Sequence, residues 1–200
     1  MGQAAVVARI PDLVTIWSAS AGIGRRLWVF YAAVVVIQTI HVAEHVIQLF
    51  QVYAFGVAED DALGLLGYVF EFQGTEEWLH LTFNASYLVG LAGIFVGLLR
   101  SPVARHVVPL WAMLAFMLFG VFLEAWHVVE HLVIISAVIA NDGCPCPGIL
   151  DSRLGVTDTI LHFFYNAIAY SATVLPFAYL LRRRSESLGH DPRMVTASSK

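Results

Sequence analysis

The stretch "HVAEH" at residues 41–45 lies inside the apolar run "LWVFYAAVVVIQTIHVAEHVIQLF" at 27–50. Two imidazoles and a carboxylate are unexpected there, because a charged side chain at the centre of a membrane span costs about 2.5–3.5 kcal/mol on insertion scales. The same pattern returns as "HVVEH" at 127–131, inside a second apolar run at 116–140. Ionisable residues inside a span usually serve a function. The repeated motif therefore predicts a functional site within the most apolar part of the chain.

The composition is that of a membrane protein. Of the 200 residues, 58% are hydrophobic and only 13% are charged, whereas soluble domains have about 45–50% and about 25%. A helix needs about 20 apolar residues to cross the hydrocarbon core. Four runs meet this requirement, near 27–50, 78–99, 108–139 and 158–181. The sequence thus predicts an all-α membrane protein with four transmembrane helices.

Basic residues indicate the orientation. They precede the first run, lie between the second and third, and follow the fourth: Arg25, Arg26, Arg100, Arg105, Arg182, Arg183 and Arg184. Since Lys and Arg favour the cytoplasmic side, we expect both termini to be cytoplasmic in a bacterial-type plasma membrane. The expected partners are the lipid bilayer and other membrane subunits or a second copy of the chain. With a net charge of −4 and no basic patch, a nucleic-acid partner is not expected.

The second and fourth runs also share a motif. The second begins "WLHLTFN" at 78–84 and the fourth "ILHFFYN" at 160–166. Each half of the chain therefore has an HxxEH span followed by an HxxxN span. We interpret the chain as one membrane domain built from two tandem helical-hairpin repeats, about 27–100 and 108–182, with a polar tail at 185–200 predicted to be disordered. Two hairpins in the same orientation predict a four-helix bundle with pseudo-two-fold symmetry along the membrane normal.

The spacing of the motifs favours metal binding. Positions i and i+4 of a helix differ by about 40° and sit one turn apart, so both histidines of an HxxEH motif can face one ion. The predicted metal ligands are His41, Glu44, His45, His80, His127, Glu130, His131 and His162. We expect two transition-metal ions (iron, zinc or copper), each held by the three histidines of one repeat in the outer half of the bundle, with Glu44 and Glu130 bridging.

Other polar residues of the spans are predicted to act around these ions. Glu44 and Glu130 could accept a proton from water beside the metal. Glu124 lies one turn deeper than His127, and its counterpart in the first repeat is Gln38. Glu124 is expected to relay protons or to contact a substrate. The alternative is that it stays protonated and forms hydrogen bonds within the bundle. Three residues are predicted to support the ligands from a second layer: Gln38, Asn84 and Asn166.

These features predict a metal-dependent oxidoreductase acting on a lipid-soluble or small substrate. Two alternatives remain open: a transition-metal transporter, sensor or storage protein, and a haem-binding electron-transfer subunit. Haem b needs only one histidine from each of two helices, so it gives no reason for the i, i+4 pairs. A purely structural polar network between helices explains the repeated spacing less well than metal binding does. Cys144 and Cys146 occur only in the second outer loop, where they could form a disulfide or bind a soft ion.

Overall fold

The structure is a computed structural model that describes residues 13–69, 76–141 and 148–189. Within these ranges the chain is helical and contains no strand. The helices are α1 (Leu13–Tyr53), α2 (Gly64–Val69), α3 (Glu76–Arg100), α4 (Pro102–Val107), α5 (Leu110–Ala115), α6 (Leu123–Ala140), α7 (Ile149–Leu154) and α8 (Asp158–Gly189). A 3₁₀ turn (Glu59–Asp61) precedes α2, and a π-helical segment (Phe116–Phe122) joins α5 to α6.

Four helical stretches are long and apolar enough to cross a membrane. They are Gly24–Tyr53, Glu77–Arg100, Leu110–Ala140 and Asp158–Arg182. These stretches agree with the four runs found in the sequence, so the prediction of an all-α protein with four candidate transmembrane helices is confirmed. The short helices α2 and α7 lie in the connections that follow the first and third spans. The predicted orientation places this end of the bundle, the α2–α7 end, outside the cell.

The long helices pack side by side. Helix α1 contacts α3 and α8, and α6 contacts the same two helices. Lipid tails are as apolar as a buried leucine, so close packing and hydrogen bonds hold such helices together. Two glycines of α3 allow α1 to approach closely. A Cβ atom at Gly90 would lie 2.9 Å from Val34 Cγ2, and one at Gly97 would lie 2.6 Å from Leu27 Cδ1.

The bundle interior is polar near the α2–α7 end and apolar in the other half. Many large apolar side chains are exposed on the outside of the bundle, as expected of a surface that faces lipid. Near the α2–α7 end, the buried side chains include the predicted histidines, glutamates and amides. In the opposite half, the interior is filled by apolar side chains such as Leu91, Ile94, Leu98 and Phe116, all of them 0% exposed. The fold thus places one buried polar cluster above a closed apolar core.

The π-helical segment interrupts the third span. Residues Phe116–Phe122 form it immediately before Glu124 and His127. The hydropathy pattern predicts only a continuous span there. Such π segments are frequent at functional sites, and this one lies against α8, where a Cβ at Gly120 would be 3.8 Å from Thr173 Oγ1. Cys144, Cys146 and residues 190–200 lie outside the described residues. The tail was predicted to be disordered from residue 185, but residues 185–189 continue α8 as helix.

Candidate metal centre

Six histidines meet in one layer of the bundle. They are His41 and His45 on α1, His80 on α3, His127 and His131 on α6, and His162 on α8. None of these side chains is more than 8% exposed. The ring centroids of neighbouring histidines are 4.6–6.2 Å apart. The structure therefore brings together all six histidines that the sequence singled out.

In each HxxEH motif, the two histidines approach through their Nε2 atoms. The Nε2 atoms of His41 and His45 are 3.3 Å apart, and those of His127 and His131 are 3.1 Å apart. Two nitrogens bound to one tetrahedral zinc ion, at about 2.0–2.1 Å each, would be separated by about 3.3–3.4 Å. Both pairs are therefore close to the spacing that a shared ion requires.

The Nδ1 atoms of three histidines are held by oxygen acceptors outside the layer. His45 Nδ1 donates to Gln48 Oε1 at 2.8 Å, and His131 Nδ1 donates to Glu77 Oε2 at 2.8 Å. His162 Nδ1 donates to the carbonyl oxygen of Asp158 at 2.9 Å and lies 3.0 Å from its carboxylate. With the proton fixed on Nδ1, the lone pair of each neutral ring is on Nε2. Metal-binding histidines are oriented in the same way by their outer partners.

Two groups of three side chains have ligand atoms within 4.8 Å of one another. One is His127, His131 and His162, and the other is Glu77, His80 and His131. Each group could hold a metal ion. The first group contains the three histidines predicted for the second repeat. The second group combines residues of both repeats, and the predicted set His41, His45 and His80 is not one of these two groups, so it stays a prediction. His80 lies between this group and the HVAEH pair, since its ring centroid is 5.2 Å from that of His45 and 5.7 Å from that of His131.

The two motif glutamates face the loops. Glu44 Oε1 accepts hydrogen bonds from the backbone N–H groups of Leu66 (2.5 Å) and Gly67 (3.3 Å) in α2. The Glu130 carboxylate accepts from the N–H groups of Ile149 (2.5 Å) and Leu150 (3.1 Å) in α7. Neither carboxylate belongs to the two close groups of ligand atoms. Their predicted role as bridging metal ligands stays a prediction, and their observed contacts fasten the loops.

The predicted second-layer residues lie one turn farther from the α2–α7 end. Gln38 Nε2 donates to Asn166 Oδ1 at 2.7 Å, and Asn166 Nδ2 donates to the carbonyl oxygen of His162 at 3.0 Å. Asn84 is 0% exposed. Glu124 is also 0% exposed, its Oε2 lies 3.7 Å from His127 Nδ1, and neither of its oxygens has a hydrogen-bond partner among the described residues.

Hydroxyl groups and apolar side chains close the bundle beneath these amides. Tyr31 donates to the carbonyl oxygen of Thr173 at 2.6 Å, and the Tyr87 and Thr173 hydroxyl oxygens are 2.7 Å apart. Tyr31, Tyr87 and the apolar core belong to one cluster of buried residues. Among the described residues, the polar layer therefore ends about halfway through the bundle.

Two further carboxylates of the site, Glu77 and Asp158, were not predicted from the sequence. Each carboxylate stands one helical turn before the histidine of its span, three residues before His80 and four before His162. This spacing was visible in the sequence. What was not visible is that Glu77 reaches across to His131 on another helix, because the pairing of α3 with α6 depends on tertiary packing.

Comparison with models of known protein families, with curated proteins and with solved structures finds no match. A four-helix bundle serves many unrelated functions, so function has to be argued from the site. The described site consists of buried histidine and carboxylate side chains that could hold a metal ion, in a chain with four candidate membrane spans.

Proposed function

We propose that this protein is an integral membrane metalloprotein with two transition-metal ions, and that it acts as a metal-dependent oxidoreductase. One observation carries the proposal: six buried histidines converge, and three of them hold Nδ1 against outer acceptors while Nε2 faces the layer. A polar network made only for stability has no need of six imidazoles at one level. An imidazole-rich set suits zinc, copper or iron.

The ligands divide between the two halves of the chain. His127, His131 and His162 would hold one ion, and His41, His45 and His80 would hold the other. Once bound, the ions would supply Lewis acidity and, for iron or copper, electron transfer. The chain's own contribution is to orient the rings through Gln48, Glu77 and Asp158, and to exclude bulk water from the layer.

We infer that the two halves are tandem repeats related by a pseudo-two-fold axis. The HxxEH and HxxxN motifs occur in the same order in both halves. In both halves, the motif glutamate also accepts backbone hydrogen bonds from the short helix in the following loop. A duplicated hairpin accounts for these paired features with one ancestral unit.

The surroundings of the layer favour an enzyme over a transporter. A transporter would need a polar path through the whole membrane, but the half of the bundle away from α2 and α7 is filled by Leu91, Ile94, Leu98 and Phe116. A substrate would therefore approach from the α2–α7 end or from the lipid between helices. The apolar exterior favours a lipid-soluble or small substrate.

The same geometry favours separate ions over haem. A bis-histidine haem needs a flat apolar slot between two facing imidazoles. Here the histidine rings lie against one another, and His127 also stacks on Tyr165 with ring centroids 4.8 Å apart. His41 stacks on Phe83 in the same manner at 5.0 Å. These contacts fill the space that a macrocycle would occupy.

The test is to purify the full chain in detergent without chelators, and to combine elemental analysis with a visible absorption spectrum. We expect about two iron or copper ions per chain. His127→Ala and His41→Ala should each remove about one ion, whereas His106→Ala, at an exposed position, should leave the metal content unchanged. A protein without bound metal would refute the metal centre. A centre that holds only zinc would refute electron transfer at the metal.

A further inference from the structure

The two HxxEH pairs have different outer partners. In the HVVEH pair, both histidines face carboxylates, because His131 Nδ1 donates to Glu77 and His127 Nδ1 lies 3.7 Å from Glu124. In the HVAEH pair, His45 Nδ1 donates to the amide oxygen of Gln48. The HVVEH pair is therefore flanked by carboxylates, whereas the HVAEH pair has an amide as its outer partner.

An acid and an amide also occupy equivalent positions of the two halves of the sequence. Three residues before the first motif histidine stands Gln38 in one half and Glu124 in the other. Gln38 is bonded to Asn166 at 2.7 Å. Its counterpart Glu124 has no hydrogen-bond partner for either oxygen among the described residues. The polar contact made in one half is therefore not repeated in the other.

A buried carboxylate without a partner is costly in its charged form, so it either takes up a proton or is compensated by a positive charge. Glu124 is 0% exposed and lies on the Nδ1 side of His127. A cation on the Nε2 side of that ring would offset the carboxylate charge, and it would favour a hydrogen bond from His127 Nδ1 to Glu124, whose atoms lie 3.7 Å apart here. A cation on the Nε2 side of His131 would likewise strengthen the hydrogen bond that His131 Nδ1 donates to Glu77. Carboxylates that hold ligand histidines raise the basicity of the ring, and losing one typically weakens metal binding about 10–100-fold.

We infer that the two sites are unequal: a divalent cation binds first and tightly to His127, His131 and His162, and a second binds more weakly to His41, His45 and His80. This inference rests on the proposed metal centre and assigns the order in which it fills. The chemical reason is the pair of outer carboxylates, Glu77 and Glu124, on the HVVEH half. The HVVEH half has at least one more histidine–carboxylate contact than the HVAEH half. The Kd of the first cation should therefore be at least about tenfold lower than the Kd of the second.

The experiment is a titration of the metal-depleted full chain in detergent with cobalt(II), whose visible absorption reports coordination. We expect two steps. In His41→Ala the tight step should remain, and in His127→Ala only the weak step should remain. Equal affinities for the two steps, or a tight step that survives in His127→Ala, would overturn the inference. A chain that binds no cobalt would instead refute the proposed metal centre as a whole.

Charge-swapping variants separate this electrostatic cause from a general loss of structure. Glu124→Gln places at this position the residue that the other half has at Gln38, and the two side chains are nearly equal in size. The variant should therefore fold, as a thermal unfolding curve can verify. It should weaken the tight step about 10–100-fold and leave the weak step unchanged. Gln38→Glu should tighten the weak step. The double variant should bring the two affinities closer together or reverse them. If Glu124→Gln alters neither step, the outer carboxylate does not set the order.

Discussion

Replacement of Glu130 by alanine separates two roles for the motif glutamates, metal ligand and loop anchor. Glu130 is 2% exposed and accepts hydrogen bonds from Ile149 N (2.5 Å) and Leu150 N (3.1 Å). Hydrogen bonds to a charged group contribute about 1.5–3 kcal/mol each. Two of them set an upper limit of about 6 kcal/mol, and water can replace part of this because both donors are only half-buried. We therefore expect Glu130→Ala to lower the free energy of unfolding by about 2–4 kcal/mol.

Two measurements on the purified protein check this prediction. Hydrogen exchange followed by mass spectrometry should show faster exchange in residues 148–154, and elemental analysis should show unchanged metal content. Glu130→Gln is the matched control, since its amide oxygen can still accept, and its effect should lie between those of wild type and Glu130→Ala. If Glu130→Ala loses one metal ion while exchange in α7 stays the same, the carboxylate is a ligand and the anchoring argument is wrong.

Three further substitutions test the packing of the loop helix and of the bundle. Gly64→Ala should cost about 1–2 kcal/mol, because Gly64 has a φ of +68° and its added Cβ would overlap the Glu44 carboxylate; thermal unfolding measures the loss. Gly97→Leu should destabilise the α1–α3 contact by about 1–3 kcal/mol through overpacking, measured in the same way. Thr173→Val removes the hydroxyl that lies 2.7 Å from the Tyr87 hydroxyl. It should cost about 1 kcal/mol without changing the metal content, and a loss of metal would contradict the separation of these two layers.

The spans and the histidine layer could be predicted because both depend on strong local patterns. A membrane helix has to satisfy its own backbone hydrogen bonds, so length and hydropathy are enough to find it. The i, i+4 spacing then fixes which side chains share a helix face. His41 with His45, and His127 with His131, follow from these two rules alone, and the structure brings both pairs together.

The π-helical segment and the reach of Glu77 could not be predicted for a different reason. The residues "FMLFGVF" at 116–122 have the same hydropathy in an α-helix as in a π-helix, so periodicity cannot distinguish the two. Glu77 contacts His131 only because α3 packs against α6. Neighbouring helices in a bundle can be arranged in more than one order, and hydropathy carries no information about which order is adopted.

The position of the motif glutamates shows how one pentapeptide can serve two purposes. On a helix, Glu44 lies about 60° to one side of His41, whereas His45 lies about 40° to the other. The helix face that carries the two histidines points into the bundle interior. The adjacent face, which carries Glu44, can then contact α2, the short helix that follows Tyr53. The first N–H groups of a short helix have no partner within that helix, and near the membrane they need a strong acceptor. Glu44 and Glu130 supply it to α2 and α7. Within one helical turn, the HxxEH motif therefore combines two proposed metal ligands with the residue that anchors the short loop helix over the layer. Substitution of the glutamate should change the accessibility of the layer more than it changes metal binding by the histidines.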